Sequence, residues 1–356
     1  MNKKTDIYKL DPETPDVNII KHAAQKLKNG YLVAFPTETV YGLGADAYNA
    51  NAVKKIFIAK ERPASDPLIV HIYSIKQLDD IVIEFSDIAN KLAEKLWPGP
   101  LTMIFKKSDL IPYEVSSNLD TVAIRMPDNI ISLLLLKYAD IPVAAPSANS
   151  FSKPSPTSAN HVINDLFGKI DIILDGGDSK IGIESTVIDM TKKTPEILRP
   201  GGIKLEQLIE LIPDIKIKQK YFHKSNNNMM SPGMLTKHYS PDAELILYSG
   251  NDDKKILNRM INDAKSIIKQ GLKLGIMAAN EDFIVFRNII KEAFIFDLGS
   301  ISNMEQIAAN LFKGLRELDS KNVDKIIIKT LKTNGIGFAV NDRLIRASEG
   351  KIIYVS

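Results

Sequence analysis

A long polar stretch divides this chain into two parts, each with an α/β pattern. Residues 216–243 read KIKQKYFHKSNNNMMSPGMLTKHYSPDA, with an asparagine run and two prolines. Short apolar runs alternate with helical patterns on both sides of it, and 356 residues exceed what one hydrophobic core usually supports. We therefore predict a domain over 1–217, a linker over 218–243 and a smaller domain over 244–356.

The first part combines strand-like apolar runs with amphipathic helical patterns. Helices are predicted over residues 19–29, from 51 to the proline at 63, and over 86–96, 130–138 and 158–167. Strands are predicted in YLVAF, DPLIVHIYS, LTMIF, TVAIRMP, residues 143–145, KIDIILDGG, GIESTVIDM and EILRPGG. This order predicts an α/β domain whose sheet is not purely parallel.

The second part alternates strand and helix as in a small Rossmann-like unit. Strands are predicted in ELILY, KLGIMAA, FIFDLG and KIIIKT, and helices over 253–269, 303–318 and 335–346. This part has no GxGxxG, no P-loop and no histidine, so we interpret it as accessory.

Residues 36–47, PTETVYGLGADA, follow the apolar strand YLVAF directly. Two glycines, two threonines, an acid and a tyrosine in so short a stretch predict a loop that approaches a ligand closely.

Composition excludes several classes of function. The net charge of +3 argues against the dense basic face of a duplex or long-RNA binder. The absence of cysteine excludes disulfides and thiolate chemistry. No apolar run approaches the length of a membrane span, so we expect a cytoplasmic protein without a membrane partner.

Arginine is scarce in this chain, which has 38 lysines but only eight arginines. Three arginines precede residue 259, namely Arg62, Arg125 and Arg199. The planar guanidinium binds carboxylate or phosphate with two parallel hydrogen bonds, which lysine cannot do. Together with Lys60, the hydroxyls of Ser147, Ser155, Ser185 and Thr186, and the Asn149 amide, these arginines predict a polyanion site.

Each of these features also has a purely structural explanation. Lys60 and Arg62 stand where a cation favours the carboxyl end of a helix, and Arg125 could be an exposed charge at a strand end. His71 could be an ordinary core histidine, and PSANSFSKPSPTS a turn-rich loop with a helix cap. The functional interpretation rests on their recurrence at strand and helix ends, where open α/β sheets bind ligands.

The usual catalytic signatures are missing. The sequence contains no GxxxxGK[ST], no GxSxG and no HExxH, and the five histidines show no paired spacing. A metal site built by the chain itself is therefore not expected.

Eight motifs together resemble the threonylcarbamoyl-adenylate synthases in their long two-domain form. They are PTETVYGLG, KERPASDPLIVHI, WPGPLT, VAIRMP, PVAAPSAN with SFSKPSPT, GIESTVID, ILRPGGI and SPGMLTKHYSP. The resemblance covers nearly the whole chain in the right order. It implies a YrdC-like twisted mixed sheet flanked by helices, plus the C-terminal Rossmann-like domain.

The resemblance also implies a reaction. Such enzymes join L-threonine, bicarbonate and ATP into threonylcarbamoyl-adenylate and pyrophosphate, with Mg²⁺ arriving with ATP. A downstream threonylcarbamoyl transferase complex then modifies tRNA, and direct tRNA contact by the synthase is not required. Acyl-adenylate formation needs alignment and charge neutralisation more than a covalent nucleophile.

Site residues are implied motif by motif. The threonine pocket is implied to contain Thr39, His71, Arg125, Ala145 through its backbone, and Ser185. The nucleotide side is implied to contain Lys60, Arg62, Asp66, Thr121, Ser147, Asn149, Ser155, Arg199 and Tyr239. Of these, Lys60 and Arg62 are the expected catalytic pair.

Two alternatives remain open at this point. One is a carbamoyl transferase of the same fold, although such modules normally belong to much longer chains with zinc-finger cysteines. The other is a double-stranded RNA-binding or ribosome-assembly factor, against which the near-neutral charge counts.

Overall fold

The computed structural model describes residues 3–218 and 239–356, which form two compact units. The first unit contains residues 3–151, 155–180 and 184–218. The second contains residues 239–356 and the short segments 152–154 and 181–183. Residues 219–238 of the predicted linker lie outside the described residues, and the predicted domain boundaries stay a prediction.

The first unit is built on one sheet of eleven strands. Its strands are β1 (Asp6–Lys9), β2 (Val33–Phe35), β3 (Gly42–Asp46), β4 (Ile69–His71), β5 (Leu101–Lys106), β6 (Thr121–Arg125), β7 (Val143–Ala144), β8 (Ile172–Asp175), β9 (Thr186–Asp189), β10 (Glu196–Arg199) and β11 (Lys216–Ile217). Its helices are α1 (Val17–Lys28), α2 (Ala50–Lys60), α3 (Leu78–Ile81), α4 (Asp87–Leu96), α5 (Tyr113–Ser116), α6 (Ile130–Ala139), α7 (Ala159–Leu166) and α8 (Leu205–Leu211), with a 3₁₀ turn over Ile75–Gln77.

The sheet is mixed, as predicted. Its strand order is β1-β8-β2-β3-β7-β4-β6-β5-β9-β10-β11. Strand β4 pairs parallel with β6, whereas β5 pairs antiparallel with β6 and parallel with β9. Strands β4, β6, β5 and β9 therefore lie side by side although long stretches of sequence separate them.

Hydrophobic cores cover both faces of this sheet. Val33 and Phe35 of β2 belong to a core that includes residues of α1 and α6. Ala34 belongs to a larger core that includes residues of α2, α4 and α7. This alternation follows from the two-residue period of a strand, and it explains why YLVAF is apolar throughout.

The prediction that 36–47 is all loop is wrong in its second half, because Gly42–Asp46 form β3. This strand pairs antiparallel with β2 and with β7. A Cβ at Gly44 would lie 2.9 Å from Phe35 Cε1 and from Val143 Cγ1, so this close strand packing requires glycine. The strand was not predicted because its two glycines lack the side chains that would show an apolar pattern.

Several short or polar elements were not predicted from the sequence. They are β1, β11, α3, α5 and α8 in the first unit, and α10 (Asn280–Ile289) and β16 (Ile352–Val355) in the second. In α10 only Phe286 is buried, and β16 has no fully buried residue, so neither shows a strong apolar period.

The second unit is a parallel five-stranded sheet with helical connections, and its Rossmann-like alternation of strand and helix is as predicted. The remaining strands are β12 (Glu244–Gly250), β13 (Leu274–Ala278), β14 (Phe294–Asp297) and β15 (Lys325–Lys329), and the remaining helices are α9 (Asp253–Lys269), α11 (Met304–Ser320) and α12 (Gly337–Ala347). The strand order β14-β13-β15-β12-β16 differs from the order 3-2-1-4-5-6 of dinucleotide-binding Rossmann domains. Across the described ranges, no helix is long and apolar enough to cross a bilayer.

Candidate active site

Helix α2 brings Lys60 into the site region. The Asn49 side chain caps its first turn, and the helix ends at Lys60 because Glu61 adopts a left-handed conformation. Lys60 is 1% exposed, and its ammonium donates hydrogen bonds to the carbonyls of Ser147 and Asn149. Lys60 thus organises the serine-rich loop. Its predicted contact with phosphate stays a prediction.

Arg62 and Asp66 form a buried ion pair just beyond α2, with Arg62 Nη2 2.8 Å from Asp66 Oδ2. Arg62 also donates to the carbonyls of Asp66 and Pro67. Burial raises the pKa of Asp66, and the nearby charges of Arg62, Lys60 and Arg199 oppose that rise. Three of the cations predicted for the nucleotide side therefore act on one buried carboxyl group.

Strands β4 and β6 bring together two of the residues that were predicted to bind threonine, His71 and Arg125, and β5 adds Thr102 beside them. His71 and Thr102 lie opposite Arg125 in the sheet, one on each side. All three side chains are buried. Burial, with a smaller contribution from the Arg125 charge, lowers the pKa of His71 to about 3. His71 is therefore neutral near pH 7, and its Nδ1 has no hydrogen-bond partner among the described residues.

Glu38 is the functional candidate that the sequence reasoning missed. Its Oε1 lies 2.7 Å from Arg125 Nη2, and both side chains are 5% exposed. Neither Glu38 oxygen makes a hydrogen bond of good geometry within the described part of the chain, and neither do Arg125 Nε and Nη2. A glutamate within an otherwise uncharged stretch of the PTETVYGLG motif was the only signal available.

Ser185, which is predicted for the threonine pocket, contacts Arg199, which is predicted for the nucleotide side. Its hydroxyl lies 2.7 Å from that of Thr102, and Arg199 Nη2 donates to its hydroxyl and its carbonyl at 3.1 and 2.9 Å. The neighbouring Glu184 accepts a hydrogen bond from Ser155. The structure thus brings Ser185, Arg199 and Arg125 into one region, through Thr102.

The loops after β2 and β7 carry further predicted residues. Thr39 is fully buried, and its hydroxyl lies 2.9 Å from that of Thr37. The Ala145 amide donates to the Ile69 carbonyl. Ser147 forms a bridge with Gly42 and donates to the Asn149 side chain.

Two further residues are predicted for the nucleotide side, Thr121 and Tyr239. Thr121 begins β6 and Arg125 ends it, which separates them by about 13 Å along the strand. Tyr239 belongs to the second unit, where its ring stacks on Phe312 at 5.3 Å and faces Arg343 at 5.2 Å. The preceding part of the SPGMLTKHYSP motif, residues 231–238, lies outside the described residues.

Carboxylates and histidines are not clustered as a metal site would require. Across residues 3–218 and 239–356, no group of three or more such side chains could hold an ion.

Comparison with known proteins assigns the family. Residues 25–201 match a family model described as Telomere recombination, and residues 203–349 match one described as Threonylcarbamoyl-AMP synthase, C-terminal domain. The chain is 45% identical to the threonylcarbamoyl-AMP synthase of Pyrococcus abyssi, over 94% of this chain and 96% of that protein. It is 41% identical to the Bacillus subtilis enzyme of the same name, over 94% of each chain.

A solved structure supports the same family assignment. The crystal structure of P. abyssi Sua5 complexed with L-threonine superposes with a TM-score of 0.92 at 43% identity, covering 98% of this chain and 99% of that one. The match extends through both units. The chain therefore belongs to the threonylcarbamoyl-AMP synthase family.

Proposed function

We infer that this chain is an L-threonylcarbamoyladenylate synthase, which converts L-threonine, bicarbonate and ATP into threonylcarbamoyl-AMP and pyrophosphate. The observation that carries the proposal is the buried Arg125 between His71 and Thr102, in a chain that matches threonylcarbamoyl-AMP synthases along nearly its whole length. That full-length match, which includes the second unit, favours the synthase over the carbamoyl-transferase and RNA-binding alternatives.

In this proposal Arg125 binds the carboxylate of threonine. A guanidinium buried to 4% exposure gains more from a bidentate carboxylate partner than an exposed one, because water competes less. Neutral His71 adds a hydrogen-bonding group without adding charge. Thr39, Ala145 and Ser185 are proposed to complete the pocket.

The nucleotide is assigned to the cations around Asp66. Lys60, Arg62 and Arg199 supply positive charge, and Ser147, Asn149 and Ser155 supply hydrogen-bond donors. Thr121 and Tyr239 are proposed for the same nucleotide. In this proposal Mg²⁺ enters with ATP and is held mainly by its phosphates.

This reaction requires the protein to align the substrates and to neutralise the charge that develops on the phosphate oxygens. After the ammonium of threonine has lost a proton to solvent, the free amine attacks the carbon of bicarbonate, and loss of water leaves a carbamate. A carbamate oxygen then attacks the α-phosphorus, whose bond to the bridging oxygen breaks as pyrophosphate leaves. Charge grows on the phosphate oxygens, where Lys60 and Arg62 stabilise it. These side chains are already fixed by carbonyl and carboxylate contacts, so little reorganisation accompanies the step.

The product is an activated acyl-adenylate, so a second enzyme has to consume it. We propose that a threonylcarbamoyl transferase complex in the cytoplasm uses it to form N6-threonylcarbamoyladenosine in tRNA. This proposal needs no tRNA contact by the synthase itself.

Pyrophosphate release tests the function. The purified chain should release pyrophosphate from ATP only when threonine and bicarbonate are both present, so each is omitted in turn. Arg125→Ala should raise the KM for threonine about 100-fold and that for ATP far less, because a charged hydrogen-bonded pair is lost. The exposed Arg259→Ala is the control. Release independent of threonine would reject the proposal.

A further inference from the structure

The ion pair between Arg125 and Glu38 raises a question that the proposed function leaves open. If the substrate carboxylate takes the place of Glu38 on Arg125, Glu38 loses its only described cationic partner, whose Nη2 lies 2.7 Å from Glu38 Oε1. A carboxylate that is 5% exposed cannot turn to bulk water instead. Leaving a buried charge without a partner is strongly unfavourable, so a new cation has to meet Glu38.

An amino acid brings that cation with it. Its ammonium and carboxylate groups are attached to the same carbon, so a molecule whose carboxylate contacts Arg125 places its ammonium within reach of the groups beside Arg125. Both oxygens of Glu38 make no good hydrogen bond within the described ranges, whereas an ammonium offers three donors. His71, on the adjacent strand, is neutral and does not compete for Glu38 as a cation.

We propose that Glu38 binds the α-ammonium group of the amino acid whose carboxylate Arg125 binds. The inference rests on the proposed function and adds to it a substrate-binding residue. The enclosed charges stay balanced, because one internal ion pair is exchanged for two pairs with a zwitterion. The pocket then selects amino acids over hydroxy acids and simple carboxylic acids of the same size.

Calorimetry with two ligands tests the proposal. One ligand is L-threonine, and the other is 3-hydroxybutyrate, which has the same carbon skeleton without the ammonium. The wild-type chain should bind threonine at least about thirtyfold more tightly, as expected for a buried charge pair. Glu38→Gln should reduce this preference to about threefold or less, because only threonine loses a partner. The exposed Glu210→Gln should leave the preference unchanged.

Each alternative result is informative. If Glu38→Gln weakens both ligands equally, Glu38 acts only by positioning Arg125, and the proposal fails. If the wild-type chain binds both ligands equally, the proposal fails whether or not the variant folds. If either result occurs while pyrophosphate release by the wild-type chain still depends on threonine, only the Glu38 assignment is overturned. Loss of that dependence would overturn the proposed function itself.

Discussion

At the scale of single side chains, His71 shows how burial controls protonation. Its pKa falls from 6.5 to about 3 on folding, because burial and then the Arg125 charge disfavour the imidazolium. As the pH falls below about 6.5, His71 therefore becomes protonated in the unfolded chain but stays neutral in the folded chain. The stability present above this pH is lost as the pH falls toward 3, by about 1.4 kcal/mol per pH unit.

The change His71→Gln should remove this contribution. We measure the free energy of unfolding with urea at several values between about pH 4 and pH 7. As the pH decreases, this free energy should fall less steeply in the variant, because unfolding of the variant takes up about one proton fewer. Identical slopes for His71→Gln and the wild type would mean that His71 is protonated in the folded chain.

The sequence could single out some site residues but not their partners. Arginine is so scarce that the three early arginines stood out, and all three are buried at 7% exposure or less. Glu38 did not stand out, because its partner Arg125 is distant in sequence and no local pattern marks such a pair. The same holds for the contacts of Thr102 with Ser185 and of Glu184 with Ser155.

At the scale of elements, the turn after β10 supports β9 through a glycine. A Cβ at Gly201 would lie 2.3 Å from the carbonyl carbon of Ser185 and 2.4 Å from the Thr186 nitrogen. Backbone atoms cannot move aside as a flexible side chain can. Gly201→Ala should therefore displace Ser185, destabilise the chain by about 1–3 kcal/mol and raise the KM for threonine several-fold.

Gly177→Ala is the control that separates the loss of stability expected for Gly201→Ala from its effect on the threonine KM. Its Cβ would meet nothing within 4 Å, but its φ of +82° makes a side chain unfavourable by about 1–2 kcal/mol. Thermal unfolding should show a similar loss of stability without a change in the threonine KM. Equal KM values for Gly201→Ala and the wild type would contradict the proposed support of Ser185.

Long periodic elements were the predictable ones. Helix α9 occupies residues 253–269 as its pattern indicated, and α6 matches the apolar run at 130–138 to within one residue. Strand β3 was missed because glycines replace the side chains that would show its period. The edge strand β1 was missed because its residues, DIYK, give a weak apolar pattern.

At the scale of the whole molecule, the described residues form two units with separate cores. In the second unit Asp342 is 3% exposed and contacts the guanidinium groups of both Arg343 and Arg346. Asp342→Ala should destabilise this unit by about 3–5 kcal/mol, because buried cations lose their carboxylate. Hydrogen exchange should show early loss of protection in β12–β16, while β6 stays protected.

The exposed Glu292→Ala is the control for this change, and we expect it to alter stability by less than about 0.5 kcal/mol. Simultaneous loss of protection in β6 and β15 would show instead that the two units unfold as one.

The strand order of the first sheet also bears on when during synthesis the chain acquires its pocket. Strand β5 pairs with β9, and β1 and β2 pair with β8. These early strands therefore cannot complete their pairing until β8 and β9 have left the ribosome. Until then Arg125 lacks the neighbours contributed by β9. A ribosome-bound fragment ending before Ser185 should therefore be unable to recognise its amino acid, and translation has to pass that point before the ligand can assist folding.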